Sequence, residues 1–152
     1  MFRATLLTLV VIPLLYYVLF PSTLTSGPIQ KYQDFREQIS NPEPMSFKLA
    51  WESTYRITRG FFRKIVLAAG LDKCVQYLLA VNELNIWLSV AIIVFLYLYF
   101  YFDFAGYCDI AIGLGLLLGI RVPENFRKPF SATTVAEFWR NWHITLADWL
   151  RD

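Results

Sequence analysis

Long apolar runs separated by polar segments set the pattern of this chain. The runs cover Ala4–Phe20, Leu84–Phe102 and Gly106–Ile120. Because a helix needs about 20 mostly apolar residues to cross a bilayer, we predict membrane spans at 4–20 and 84–102. We predict a span or re-entrant segment at 106–120. A secretory signal is the alternative for residues 4–20, but no small-residue cleavage pattern follows that run.

A helical period of charge begins after the first run. Lys48, Glu52, Arg56, Arg59 and Arg63 recur every three or four residues beside a parallel aromatic and aliphatic stripe. This pattern predicts an amphipathic helix over residues 46–70 that lies at the membrane interface, with its arginines among lipid headgroups. Prolines within residues 20–29 forbid a continuous helix there and predict a turn or re-entrant loop.

Two local signals organise the last third of the chain. Ala111, Gly115 and Gly119 recur every four residues, a ridge of small residues against which a second helix could pack. Thr134 and Glu137 have the spacing of a capping box, which predicts a helix over residues 135–152. That helix is apolar nearly all round, so we expect it to be largely buried.

Composition extends these predictions to the whole fold. With 57% hydrophobic and 17% charged residues among 152, the chain is too apolar for an ordinary soluble domain. We predict an all-α integral membrane helical bundle with an interfacial amphipathic helix and re-entrant loops. Cys74 and Cys108 lack metal-ligand or disulfide spacing, so no metal site is expected.

The basic residues suggest an orientation for this bundle. The net charge is only +2 and the basic residues lie between apolar runs, which disfavours a nucleic-acid partner. If 84–102 and 106–120 form a hairpin, the basic segments on both sides face the cytoplasm by the positive-inside rule.

His143 is the only histidine and lies in an aromatic run. An imidazole titrates near neutrality and can take a proton from an alcohol, and apolar surroundings would keep it neutral. Periodicity alone favours a hydrogen-bonded structural histidine over a catalytic one. Asp103 and Asp109 lie near membrane depth, where ionisable groups usually face a bundle interior and are functional or paired.

Several blocks in order resemble the membrane-bound O-acyltransferase (MBOAT) family. They are Phe102–Gly113 (FDFAGYCDIAIG), Pro123–Phe126 (PENF) and Glu137–Leu146 (EFWRNWHITL), and the segment from Phe20 to Tyr32 is similar to the family's upstream loop. The resemblance implies a helical membrane enzyme that moves an acyl group to a hydroxyl. It makes His143 a candidate catalytic residue, acting as base or positioning donor in a tunnel.

The resemblance also implies roles for other residues. Arg121, Arg127 and Lys128 are candidates to meet the phosphates of an acyl donor such as acetyl-CoA, and no tightly bound cofactor is expected. The substrate-binding or structural polar candidates are Asp103, Asp109, Asn125, Trp139, Arg140 and Trp142. Of these, we expect Asp103, Asp109 and Asn125 to hold helix and loop positions through hydrogen bonds.

Within the family, the blocks favour acetylation of an extracellular polysaccharide, with D-alanyl transfer to teichoic acids as the alternative. A non-catalytic scaffold or transporter-like element is the rival from another class. The expected partners are membrane lipid, the acyl donor, and an extracytoplasmic acyltransferase or acyl carrier protein, at a multi-pass site in the inner membrane. The resemblance implies that family members continue into helices with a second histidine, which is usually considered the catalytic one. We therefore expect this chain to be a middle portion of a longer enzyme.

Overall fold

The computed structural model describes residues 32–81 and 85–151, and every regular element within them is helical. The elements in chain order are α1 (Tyr32–Ser40), α2 (Phe47–Phe61), a π-helical segment (Phe62–Ala68), α3 (Ala69–Leu79), α4 (Ile86–Leu117), a 3₁₀ turn (Pro129–Ser131), α5 (Val135–Asn141) and α6 (Ile144–Arg151). The all-α prediction is confirmed. The predicted span at 4–20 and the loop at 20–29 lie outside the described residues.

The chain divides into two compact units. Residues 38–121 form one unit, and the described residues 32–37 and 122–151 belong to the other.

The predicted amphipathic helix is present and runs further than its sequence pattern suggested. Its N-cap is Ser46, whose hydroxyl accepts a hydrogen bond from the amide of Leu49. The chain then stays helical through α2, the π-helical segment and α3 to Leu79. Phe47 and Trp51 are 88% and 68% exposed, so the aromatic stripe faces away from the rest of this unit.

Helix α4 is one continuous element of 32 residues, capped at its start by the side chain of Asn85. It is roughly 48 Å long at 1.5 Å per residue. With a mean hydropathy of 2.0, it is the helix within the described residues that could cross a membrane by length and composition. Beyond its last turn, Gly119 adopts φ +74° and the amide of Ile120 returns to the carbonyl of Gly115.

The prediction of separate segments at 84–102 and 106–120 is therefore wrong. Asp103 and Asp109 lie within α4 and do not interrupt it. Their side chains pair with basic residues of the facing helical stretch, so the backbone hydrogen bonds of α4 stay intact. The hairpin of this unit is formed instead by residues 47–79 and α4, which run antiparallel: Ser53 donates to the carbonyl of Gly113 at 2.7 Å, and Lys64 pairs with Asp103.

Two glycines let the backbones of this hairpin come close together. A Cβ atom on Gly60 would lie 2.6 Å from the carbonyl oxygen of Gly106, and one on Gly106 would lie 2.8 Å from the carbonyl oxygen of Gly60. The predicted ridge of Ala111, Gly115 and Gly119 is not this contact, and Gly119 lies beyond the helix end, where it supplies a positive φ.

The predicted helix over 135–152 is broken in two. Helix α5 ends at Asn141 and α6 begins at Ile144. The prediction that this region is largely buried is also wrong, since no residue of α5 is buried and the side chains of Trp139, Trp149 and Leu150 are 59%, 62% and 69% exposed in this structure.

We predict that Gly60→Ala destabilises the helical hairpin, because its methyl group would meet the backbone of the facing helix. Overpacking of this kind costs about 1–3 kcal/mol. Gly70→Ala is the matched control, since a Cβ there has nothing within 4 Å and an alanine favours a helix interior by about 0.5–1 kcal/mol. Thermal unfolding of both variants in detergent measures the difference. Equal unfolding midpoints for the two variants would contradict the close approach of the helices at Gly60 and Gly106.

Candidate functional site

The break between α5 and α6 is held by an extended segment that pairs with it. The amide of Arg127 donates to the carbonyl of Asn141 at 3.1 Å, and the amide of Ile144 donates to the carbonyl of Asn125 at 3.0 Å. Phe126 and Trp142 thereby form an isolated antiparallel bridge. This pairing diverts the chain between the two helices and explains why a helical pattern in the sequence does not form one helix.

Asn125, which is distant from helix α6 in the sequence, caps the start of that helix. Its side-chain Oδ1 accepts from the amide of Thr145 at 3.3 Å and from the Thr145 hydroxyl at 2.5 Å. Together with its backbone carbonyl, which accepts from Ile144, Asn125 satisfies two of the amides that a helix start leaves without a partner. Asn125 is fully buried and Thr145 is buried, so the cap is shielded from water.

His143 is the residue at the turn itself. Its φ is +49°, in the left-handed region that asparagine, aspartate and histidine adopt more readily than other non-glycine residues. Its carbonyl accepts the amides of Leu146 and Ala147, both at 3.1 Å, and so begins α6. The Nδ1 atom of the ring is buried. Desolvation lowers the pKa of His143 below its ordinary value, against a smaller opposing effect of its own backbone.

An imidazole in this setting is neutral at physiological pH and can accept a proton. The geometry therefore provides a strained, well-anchored turn that presents a neutral base. Holding a non-glycine residue in the left-handed region costs on the order of 1–3 kcal/mol, which the surrounding hydrogen bonds must offset.

Aromatic rings pack beside this turn. Trp142 meets Phe126 edge-on at 5.1 Å and stacks on Phe138 at 5.5 Å. Trp139 packs edge-on against Phe138 but is largely exposed. Trp139, His143 and Leu150 have the spacing of one face of a continuous helix. They do not share such a face in the structure, because the backbone changes direction at His143.

The predicted helix start at Val135 is confirmed. Thr134 accepts from the amide of Glu137 at 3.1 Å, as a capping threonine should. The carboxylate of Glu137 reaches one residue further back than expected and accepts from the amide of Thr133 at 2.8 Å. This bond is the largest cause of the lowered pKa of Glu137, and the exposed Arg140 contributes electrostatically.

Asp109 makes charged contacts with three arginines of the facing helical stretch. It accepts from Arg56 at 3.0 Å, from Arg59 at 2.9 Å and through a second, shorter bond, and from Arg63 at 2.6 Å. The prediction that these arginines lie among lipid headgroups is wrong for the atoms that bind Asp109. The sequence placed the arginines and Asp109 on helices but did not indicate that they meet across 46 to 53 residues.

The three candidates for donor phosphates have different surroundings. The guanidinium of Arg121 forms a bidentate salt bridge with the carboxylate of Glu43, with N–O distances of 2.8 and 3.0 Å. The backbone amide of Arg121 donates to the side chain of Gln38. Arg127 and Lys128 are exposed, and Lys128 has φ +48°. A phosphate-binding role for these three residues stays a prediction. Within residues 32–81 and 85–151, no three histidine, cysteine or acidic side chains cluster as metal ligands would.

The sequence is similar to known membrane proteins, in agreement with the long apolar helix α4. Residues 8–152 match the membrane-bound O-acyltransferase family model, MBOAT. The chain is 36% identical over 140 residues to the probable alginate O-acetylase AlgI of Pseudomonas fluorescens, covering 90% of this chain and 27% of that protein.

Two further relatives have different substrates in their names. The chain is 34% identical over 142 residues to the teichoic acid D-alanyltransferase of Bacillus subtilis, covering 91% of this chain and 36% of that protein. It is 32% identical over 146 residues to the peptidoglycan O-acetyltransferase of Helicobacter pylori, covering 90% of this chain and 26% of that protein.

The described residues thus form an all-helical part of a membrane protein, with a long apolar helix and a histidine on a capped helix start. It belongs to the membrane-bound O-acyltransferase family. It spans about a quarter to a third of the length of the curated relatives it matches.

We predict that Thr145→Val loosens the start of α6. The valine keeps the shape of threonine but leaves Asn125 without its hydroxyl donor in a buried position, at a cost of about 1–3 kcal/mol. Amide hydrogen exchange of residues 144–147 should become faster. Thr145→Ser keeps the hydroxyl and is the control. Faster exchange in both variants, or in neither, would contradict the capping of α6 by Asn125.

Proposed function

We propose that the complete protein is a membrane O-acyltransferase that moves an acetyl group to hydroxyls of an extracellular polysaccharide. The observation that carries this proposal is the family match over residues 8–152, which includes the His143 turn. Relatives named for acetylation of alginate and of peptidoglycan support acetyl as the group and a polysaccharide as the acceptor.

In the proposed reaction, His143 acts as general base. The partly buried, neutral imidazole takes the proton of an acceptor hydroxyl as that oxygen forms a bond to the acyl carbon of a thioester. The bond from the acyl carbon to sulfur then breaks, and the thiolate leaves and gains a proton. General-base assistance of this kind contributes roughly 10²–10⁴-fold.

The first helical turn of α6 positions the base. Asn125 and Thr145 fix the backbone immediately after His143, so the ring cannot swing away with a fraying helix end. The packing of Trp142 on Phe126 and Phe138 holds the other side of the turn. Orientation by a rigid scaffold is a general requirement of such a site.

The remaining expectations complete this proposal. The protein lies in the inner membrane with several spans, and the donor is a thioester such as acetyl-CoA, which approaches from the cytoplasm past Arg127 and Lys128. An extracytoplasmic acyltransferase or an acyl carrier protein acts with it. The chemistry of the exposed basic side chains suits phosphate groups.

D-alanyl transfer to teichoic acids is the second candidate. It is favoured by the match to the D-alanyltransferase of Bacillus subtilis, at 34% identity. Mass spectrometry of cell-surface glycans, with and without the intact gene, distinguishes the two: loss of acetyl esters supports the first function, and loss of D-alanyl esters supports the second. Loss of neither ester would overturn both.

We predict that His143→Asn in the full-length protein lowers acyl transfer by about 10²-fold or more. Asparagine tolerates the left-handed backbone at φ +49°, so this change removes the base and keeps the turn. His143→Ala removes both. Initial rates in proteoliposomes, at equal protein amounts, measure the loss. Wild-type activity in His143→Asn would remove the catalytic role.

The rate should also depend on pH in a defined direction. Because desolvation lowers the pKa of His143, the neutral form persists to lower pH than that of a free histidine, whose pKa is about 6.5. Acyl transfer should stay constant as pH falls from about 8 and decline only below about 6.5. Initial rates across this range test the prediction. A decline that begins well above that pH would contradict a desolvated base.

A further inference from the structure

The cluster formed by Asp109 with Arg56, Arg59 and Arg63 buries its anion and leaves its cations partly exposed. The side chain of Asp109 is only 4% exposed, whereas those of Arg56, Arg59 and Arg63 are 18%, 31% and 25% exposed. The carboxylate is therefore sealed between the helices, and part of each arginine side chain remains accessible.

The hydrogen-bonding capacities of the two sides are unequal. A carboxylate has about four acceptor positions, and each guanidinium has five N–H donors. Asp109 already accepts four bonds, one from Arg56, two from Arg59 and one from Arg63. Its acceptor positions are filled while the donor capacity of Arg59 and Arg63 is only partly used. Partly desolvated cations in excess of their anion are costly unless another anion joins them.

The local backbone supports this arrangement. The helix widens into the π-helical segment Phe62–Ala68, which contains Arg63, and such segments often occur at functional sites. The close approach at Gly60 and Gly106 brings the arginines within reach of Asp109. The guanidinium of Arg59 also lies over the ring of Tyr55, with 5.3 Å from its carbon to the ring centre. Arg59 is thus oriented before any ligand arrives.

We propose that Arg59 and Arg63, oriented by Asp109, form a binding site for a phosphate group. The planar fork of N–H donors on arginine matches the oxygens of a phosphate. The phosphate could belong to a lipid headgroup or to a soluble phosphate ester, and the same chemistry recognises both. The site lies within the hairpin unit and does not depend on the proposed acyl transfer.

The test uses the full-length protein, delipidated in dodecyl maltoside, which contains no phosphate. One arm titrates inorganic pyrophosphate by calorimetry, and the other counts bound dioctanoyl phosphatidylglycerol by native mass spectrometry. The variant is Arg59→Gln with Arg63→Gln. Lys48→Gln with Lys73→Gln is the control, because it removes the same charge from exposed positions of the same helical stretch.

Binding in one or both arms should fall at least about tenfold in the arginine variant and stay within about twofold in the control. Binding of pyrophosphate alone identifies a soluble source, and binding of phosphatidylglycerol alone identifies lipid. Binding by wild type in neither arm, or equal losses in variant and control, would overturn the proposal and leave the arginines as partners of Asp109 only.

A measurement on the wild-type protein does not require any variant to fold. Phenylglyoxal modifies accessible guanidinium groups, and peptide mass spectrometry locates the modified sites. The bound probe should protect Arg59 and Arg63 while the exposed Arg151 stays reactive. Equal modification of all three with and without a probe would also overturn the proposal.

Discussion

One buried carboxylate constrains the helical hairpin of residues 38–121. Asp109 lies at 4% side-chain exposure in the most apolar helix of the described chain, where a lone ionised group would cost several kcal/mol. Guanidinium groups from the facing helix remove that penalty only if the two helices keep one register. The same register allows Gly60 to meet Gly106 and Ser53 to bond the carbonyl of Gly113. Charge pairing and close backbone packing therefore specify the same arrangement.

The unit of residues 122–151 has a different organising contact. Asn125 supplies both a backbone and a side-chain acceptor to the first turn of α6, and the helix it caps begins at the carbonyl of His143. The imidazole is therefore carried by a turn whose conformation is set by a residue 18 positions earlier in the chain. A catalytic role for this histidine would use that arrangement directly, because a general base needs a fixed position as well as a suitable pKa.

Membership of the acyltransferase family and the local geometry answer different questions. The family match shows the family to which the chain belongs, and the geometry shows the surroundings of each residue that the sequence made a candidate. His143 has a partly desolvated ring on a capped helix start. Asp103 and Asp109 instead have cationic partners, which suits side chains that hold two helices together.

The sequence by itself determined the helical class, the apolar character of α4 and the capped start of α5, because periodicity and capping act over a few residues. Only the tertiary structure decided three features. They are the continuity of α4 through Asp103 and Asp109, the pairing of Asp109 with arginines about 50 residues away, and the break at His143. Each depends on a partner distant in the chain, and hydrophobic periodicity carries no information about such a partner.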